Sequence, residues 1–137
     1  MERILDWNKY LDTAAKMVSE GIVMLKNENN ALPLDTDKEV AVFGRIQFHY
    51  YKSGTGSGGM VNVTKVVNIL DGLIDNGVKV NEKLLDTYRK WDKENPFDLG
   101  EGWGGEPWSQ KEMPLDEGLV KETAKSCETA IVIIGRK

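Results

Sequence analysis

Val40-Ala41-Val42-Phe43-Gly44, followed by Arg45-Ile46-Gln47-Phe48-His49-Tyr50-Tyr51-Lys52 and then Ser53-Gly54-Thr55-Gly56-Ser57-Gly58-Gly59-Met60, is the stretch that decides the fold. Four apolar residues running into Gly44 have the pattern of a strand buried on both faces, as in a parallel sheet. Open α/β sheets bind ligands beyond the carboxyl ends of such strands, so the residues after Gly44 are where function is to be sought. Gly54, Gly56, Gly58 and Gly59 let the backbone approach a ligand closely, at an entropic cost that ordinary loops avoid.

Working outward, Leu11, Ala14, Ala15, Val18, Ile22 and Leu25 recur at helical spacing, which predicts an amphipathic helix over about residues 7 to 27, capped by Asp6. Gly21 inside it would cost roughly 1 kcal/mol relative to Ala and points to close packing there. Val66, Val67, Ile69, Leu70, Leu73 and Ile74 form a second helix that should stop at Asn76-Gly77, and Val78-Lys79-Val80 is a second strand. Strand, crossover helix, strand is the βαβ unit that forces parallel pairing. Leu84, Leu85, Tyr88 and Trp91 predict a surface helix over 82 to 94, and Leu119, Val120 and Ala124 another over 115 to 127. Ala130 to Gly135 is the most apolar strand, and like the first it ends in Gly-Arg. The fold class is therefore α/β, a three-layer sandwich with a mostly parallel sheet, incomplete here at about three strands flanked by about four helices. Such a partial sheet should expose apolar edges and be prone to self-association.

The chain has 137 residues, the size of one ordinary domain, with 40% hydrophobic and 29% charged residues. A net charge of −4 without a basic block argues against nucleic acid, and no apolar run approaches the length that spans a bilayer. One cysteine, Cys127, excludes an internal disulfide, and with a single histidine leaves no zinc pattern; no metal or cofactor is expected. The N-terminus lacks an apolar signal core, so a cytoplasmic location is expected.

Gly54 to Gly59 formally matches the dinucleotide fingerprint, with Asp75 about 20 residues onward. The first glycine of that fingerprint should follow its strand directly, whereas Gly54 lies ten residues beyond Gly44, which weakens the nucleotide case. The donors, acceptors and rings of Arg45, Gln47, His49, Tyr50, Tyr51, Lys52, Ser53 and Ser57 suit a polyhydroxylated ligand such as a sugar; a plain surface loop is the alternative. His49 has no visible nucleophile partner and is read as a structural or surface residue, and Cys127 as a small buried one. The long segment from Asn95 to Pro114 lacks periodicity, which marks a functional loop or a docking surface. Its Trp103 and Trp108 could stack on a sugar or anchor the loop, and Glu101, Glu106 and Glu112 form no assignable acid and nucleophile pair.

Ser19-Glu-Gly-Ile-Val-Met-Leu-Lys-Asn-Glu-Asn-Asn-Ala-Leu-Pro-Leu34, followed by Val40-Ala-Val-Phe-Gly44, closely resembles the opening of the α/β sandwich domain of family 3 glycoside hydrolases, the β-glucosidase family. The resemblance runs through the glycine loop to the final strand. It implies a retaining enzyme that removes terminal β-linked glucose, with an aspartate nucleophile in a separate barrel domain and a glutamate acid/base in the loop after the strand at 131 to 135. Residues 1–137 are then a single, partial sandwich domain, from a member with reversed domain order, lacking both catalytic carboxylates and expected to be inactive alone. Tyr51, Lys52, Ser53, Ser57 and Met60 are the expected contacts with a β-glucoside or with the barrel of the same chain. Where some relatives place a tryptophan after the paired glycines, this chain has Met60, a weaker platform for a leaving sugar. The alternative is a free-standing module that binds a glycan or a protein.

Overall fold

The structure is a computed structural model that describes residues 5–49, 66–102, 105 and 107–134. By contact the chain divides into two units, Met1–Pro33 and Leu34–Lys137. In the first unit, helix α1 spans Trp7–Gly21, and the Asp6 carboxylate caps it by accepting from Lys9 N–H at 3.1 Å. Gly21 is the last residue of α1, and the backbone turns extended at Ile22, so the expected cost of an interior glycine does not arise. The Asn27 side chain then clasps the backbone of Leu32, accepting from its N–H at 3.0 Å and donating to its carbonyl at 2.9 Å.

The second unit is built on strand β1, Glu39–Phe43, which lies between β2, Lys79–Val80, and β3, Thr129–Val132, with both pairings parallel. The registers are Val40 opposite Val80 and Val40 to Phe43 opposite Thr129 to Val132. β1 is buried along Val40 to Phe43, as its continuous apolar run predicts. Its two faces feed separate clusters: Val40 and Val42 pack with Leu70, Val80 and Leu85, whereas Ala41 and Phe43 pack with Leu84, Tyr88, Met113 and Cys127. Cys127 is buried, in agreement with its sequence reading.

The crossovers carry helices α2, Ile69–Asp75, α3, Glu82–Glu94, and α4, Glu117–Ser126. Each begins at a side-chain cap that accepts a backbone N–H three residues on: Asn68 for α2, Asn81 for α3 and Asp116 for α4. α2 ends as its Asn-Gly signal predicts. Gly77 takes φ 77°, its N–H bonds to the carbonyl of Ile74 at 2.9 Å, and Val78 N–H bonds to that of Leu73 at 3.0 Å. Three parallel strands with helices serving both faces of the central one form the α/β sandwich that the sequence implies. Val132 at the end of β3 and Ile134 just after it are exposed.

Candidate functional site

β1, β3 and the segments after them converge at their carboxyl ends. Gly44 leaves β1 with φ 109°, and a Cβ there would collide with the carbonyl oxygen of Ile133, so the position requires glycine twice over. Ile133 N–H bonds to the Phe43 carbonyl at 2.9 Å and carries the β3 pairing to this point. The next two N–H groups of the chain are claimed by distant side chains. Gly44 N–H donates to the Tyr88 hydroxyl of α3 at 3.0 Å, and Arg45 N–H donates to the Glu112 carboxylate at 2.9 and 3.2 Å. Glu112 also accepts from Met113 N–H at 2.7 Å. A carboxylate from the 95–114 segment thus occupies the backbone amide of Arg45, the residue that opens the short 3-10 turn Arg45–Gln47.

Arg45 is the hub of this end of the sheet. Its side chain is 3% exposed, a rare position for arginine unless fully paired. One terminal nitrogen donates to the Lys111 carbonyl at 2.9 Å; the other donates to Asp92 Oδ1 at 2.6 Å and to the Asn95 carbonyl at 2.8 Å. The guanidinium lies 4.9 Å from the centre of the Trp91 ring and 5.3 Å from that of Phe97. Only its Nε lacks a partner. The second oxygen of Asp92 meets His49 Nε2 at 2.7 Å, and the His49 ring stacks on Phe97 at 4.5 Å. His49 is therefore held in a structural cluster, in line with its reading from sequence. Gln47, wholly buried, donates to the Gly44 carbonyl at 2.9 Å.

Around these ties opens a cavity of about 510 Å³. Phe43 at the end of β1 and Gly44 and Arg45 after it line it, with Ile133 and Ile134 just beyond β3, Tyr88 from α3, and Phe97, Trp108, Gln110 and Glu112 from the long segment. Its size falls in the range of small-molecule sites, and it lies where an open parallel sheet binds ligands. Burial pushes the Tyr88 phenol above its ordinary value, and the nearby Glu112 charge adds to this, although the Gly44 N–H opposes it. The tyrosine stays protonated in the neutral range. Among the described residues no group of three or more His, Cys, Asp or Glu side chains could hold a metal ion.

Tyr51, Lys52, Ser53, Ser57 and Met60, the contacts expected from sequence, lie outside the described residues, as do Trp103 and Glu106. Trp108, one of the two candidate stacking rings, is 88% exposed and borders the cavity. The structure adds Tyr88 and Asp92 to the site and brings to it Glu112, one of the three carboxylates noted in the long segment. In sequence Tyr88 is one apolar position of a helix and Asp92 one of its charges, and only the tertiary fold brings them to Gly44 and Arg45.

Residues 22–137 match the family model described as the glycosyl hydrolase family 3 C-terminal domain. Over 132 residues, 96% of this chain, the sequence is 61% identical to a β-glucosidase of Ruminococcus albus; it is 31% identical to β-glucosidase A of Butyrivibrio fibrisolvens over 98% of the chain. The chain spans 14% and 16% of the length of those two relatives. A crystallised β-glucosidase from Paenibacillus barengoltzii superposes with a TM-score of 0.85 at 53% identity, over 92% of this chain and 14% of that one. β-Glucosidase 3B from Thermotoga neapolitana, solved in complex with glucose, gives 0.78 at 28% identity, over 96% of this chain and 18% of that one.

Proposed function

The chain belongs to the glycosyl hydrolase family 3 C-terminal domain family, and from that premise we propose that it is the sandwich-domain part of a β-glucosidase that removes terminal β-linked glucose. The observation that carries the proposal is the cavity at the carboxyl ends of β1 and β3, in a chain 61% identical to a β-glucosidase. In this role the segment forms one wall of the sugar pocket. Tyr51, Lys52, Ser53, Ser57 and Met60 contact the glucoside or the barrel domain of the same chain, and a barrel aspartate and a glutamate beyond Lys137 carry the chemistry. The mechanism is retaining. The glutamate protonates the departing oxygen while the aspartate attacks the anomeric carbon, and water then releases glucose with the glutamate acting as base, which requires the two carboxyl groups about 5–5.5 Å apart. The described carboxylates nearest the cavity do not suit these tasks, because Glu112 is committed to backbone N–H groups and Asp92 to Arg45 and His49. The protein works in the cytoplasm, with the sandwich domain ahead of the barrel.

Sequencing the gene past Lys137 and assaying its full product on 4-nitrophenyl β-glucoside test the proposal together. An acidic loop followed by a barrel of several hundred residues and release of 4-nitrophenol are expected, with residues 1–137 alone inactive. A full product that binds glycans or proteins without hydrolysing any β-glucoside would identify a binding module instead.

A further inference from the structure

Resting on that function, we propose that Gln110 is a positioning residue, whose side-chain amide holds the long segment in shape before substrate arrives and so sets one wall of the 510 Å³ cavity. The two ends of that segment are anchored in the core. At its start the Asn95 side chain donates to the Trp91 carbonyl, in the last turn of α3, at 3.0 Å. At its end Glu112 accepts from the Arg45 N–H, and Met113 is buried in one cluster with Phe43 and Tyr88. Arg45 draws these ends together, because its guanidinium donates to the carbonyls of both Asn95 and Lys111, and the Lys111 ammonium adds a bond to Asn95 Oδ1 at 2.6 Å.

These ties close the neck of the loop but do not fix its course beyond. Asp98 and Gln110 form the next rung. The Gln110 amide accepts from Asp98 N–H at 3.0 Å and donates to the Asp98 carbonyl at 2.6 Å. A neighbouring strand would make the same pair of bonds to a single residue, and an amide side chain carries the matching donor and acceptor side by side. The Asp98 carboxylate in turn accepts from Gly100 N–H at 2.8 Å, which extends the order past the rung. The rung adjoins the residues that face the cavity: Phe97 directly precedes Asp98, Trp108 and Ser109 directly precede Gln110, and all three line the wall. A wall in place before binding spares the substrate the cost of ordering it. Without the rung only a fraction of molecules hold Phe97 and Trp108 in place, and the apparent affinity falls by that fraction. In the bound state the wall is formed in either case, and the chemical step belongs to other carboxylates, so the effect falls on KM and not on kcat.

The test is steady-state kinetics of the full gene product on 4-nitrophenyl β-glucoside, with hydrogen exchange on the same proteins. Gln110 lies outside both buried clusters, so Gln110→Ala should still fold. Each hydrogen bond is worth a factor of roughly 2 to 12 in an equilibrium, and Gln110→Ala should raise KM about fivefold, leave kcat within about twofold and speed exchange of the Asp98 amide about fivefold or more. Lys111→Met removes one tie of the neck but not the Arg45 bonds, and should raise KM about twofold. Lys38→Met breaks an exposed ion pair with Glu128 at the amino ends of β1 and β3 and should change neither constant. An unchanged KM in Gln110→Ala, or a kcat that falls as far as KM rises, overturns the inference and leaves the β-glucosidase assignment standing. If the wild-type product hydrolyses no β-glucoside, that assignment fails and exchange alone decides: faster exchange at Asp98 in Gln110→Ala upholds the preformed wall, and unchanged exchange overturns it.

Discussion

Replacing Arg45 with methionine keeps the length of the side chain and removes its charge and its donors. The wild-type guanidinium is 3% exposed and makes three hydrogen bonds, of 2.6, 2.8 and 2.9 Å. Its loss leaves the carbonyls of Lys111 and Asn95 without those donors and leaves Asp92, 18% exposed, with His49 alone. Removing one member of a buried ion pair costs about 3–5 kcal/mol, and the partial access of water to Asp92 places this case near 3. The assay is equilibrium urea unfolding followed by tryptophan fluorescence, for which Trp91, lying against the guanidinium, is a local reporter. The double variant Arg45→Met/Asp92→Leu removes the orphaned charge and should recover about 1–2 kcal/mol relative to Arg45→Met alone. A cost below about 1 kcal/mol for the single variant, or two substitutions whose costs simply add, would refute the argument that Arg45 and Asp92 act as one buried unit.

Gly44→Ala and Gly77→Ala both place a side chain at positive φ, worth about 1–2 kcal/mol, but only the first also drives a Cβ into the Ile133 carbonyl. Gly44→Ala should therefore cost about 3 kcal/mol or more and lower Tm well beyond the shift of Gly77→Ala, as calorimetry will read. Tyr88→Phe deletes the acceptor for Gly44 N–H, should cost about 1–2 kcal/mol, and should speed hydrogen exchange of that amide. Because burial raises the Tyr88 phenol above its unfolded value of 10.0, the tyrosine contributes stability below that pH that is lost as pH rises from there through the higher folded value; the phenylalanine variant should lose that alkaline component.

The parts of the fold legible in sequence are those where local pattern and tertiary need agree. Leu84, Leu85 and Tyr88 recur at the spacing of one helix face, and Asn81 caps it, so α3 runs over Glu82–Glu94 as the periodicity predicts. β1 is equally plain, since a run buried on both faces has no polar residue to confuse it. Helix ends are less legible. The apolar pattern of α1 continues through Ile22, Val23 and Leu25, but the backbone leaves the helix after Gly21, where propensity is weakest and two β-branched residues follow. α2 starts at Ile69 and not at Val66, because the Asn68 side chain claims the Asp71 N–H. In the site, the importance of the residues after Gly44 was legible from the strand, but the Arg45 hub was not. Its partners lie 47 to 67 positions away in the chain and are chosen by the crossing of α3 and the long segment at the sheet's end. No period or spacing encodes that meeting.

The central place of β1 has a consequence for how the protein is made. β1 pairs with β2 40 positions later, Glu39 with Lys79, and with β3 89 positions later, Val40 with Thr129. At synthesis rates of about 5–20 residues per second, Val40 waits roughly 4 to 18 s for its second neighbour to be polymerised. Closing the longer loop costs about 0.7 kcal/mol more than closing the shorter one. β3 offsets this by pairing at four positions where β2 pairs at two. Until β3 arrives, the nascent chain holds its central, most deeply buried strand with one side unpaired, which is the interval in which a chaperone would be of most use.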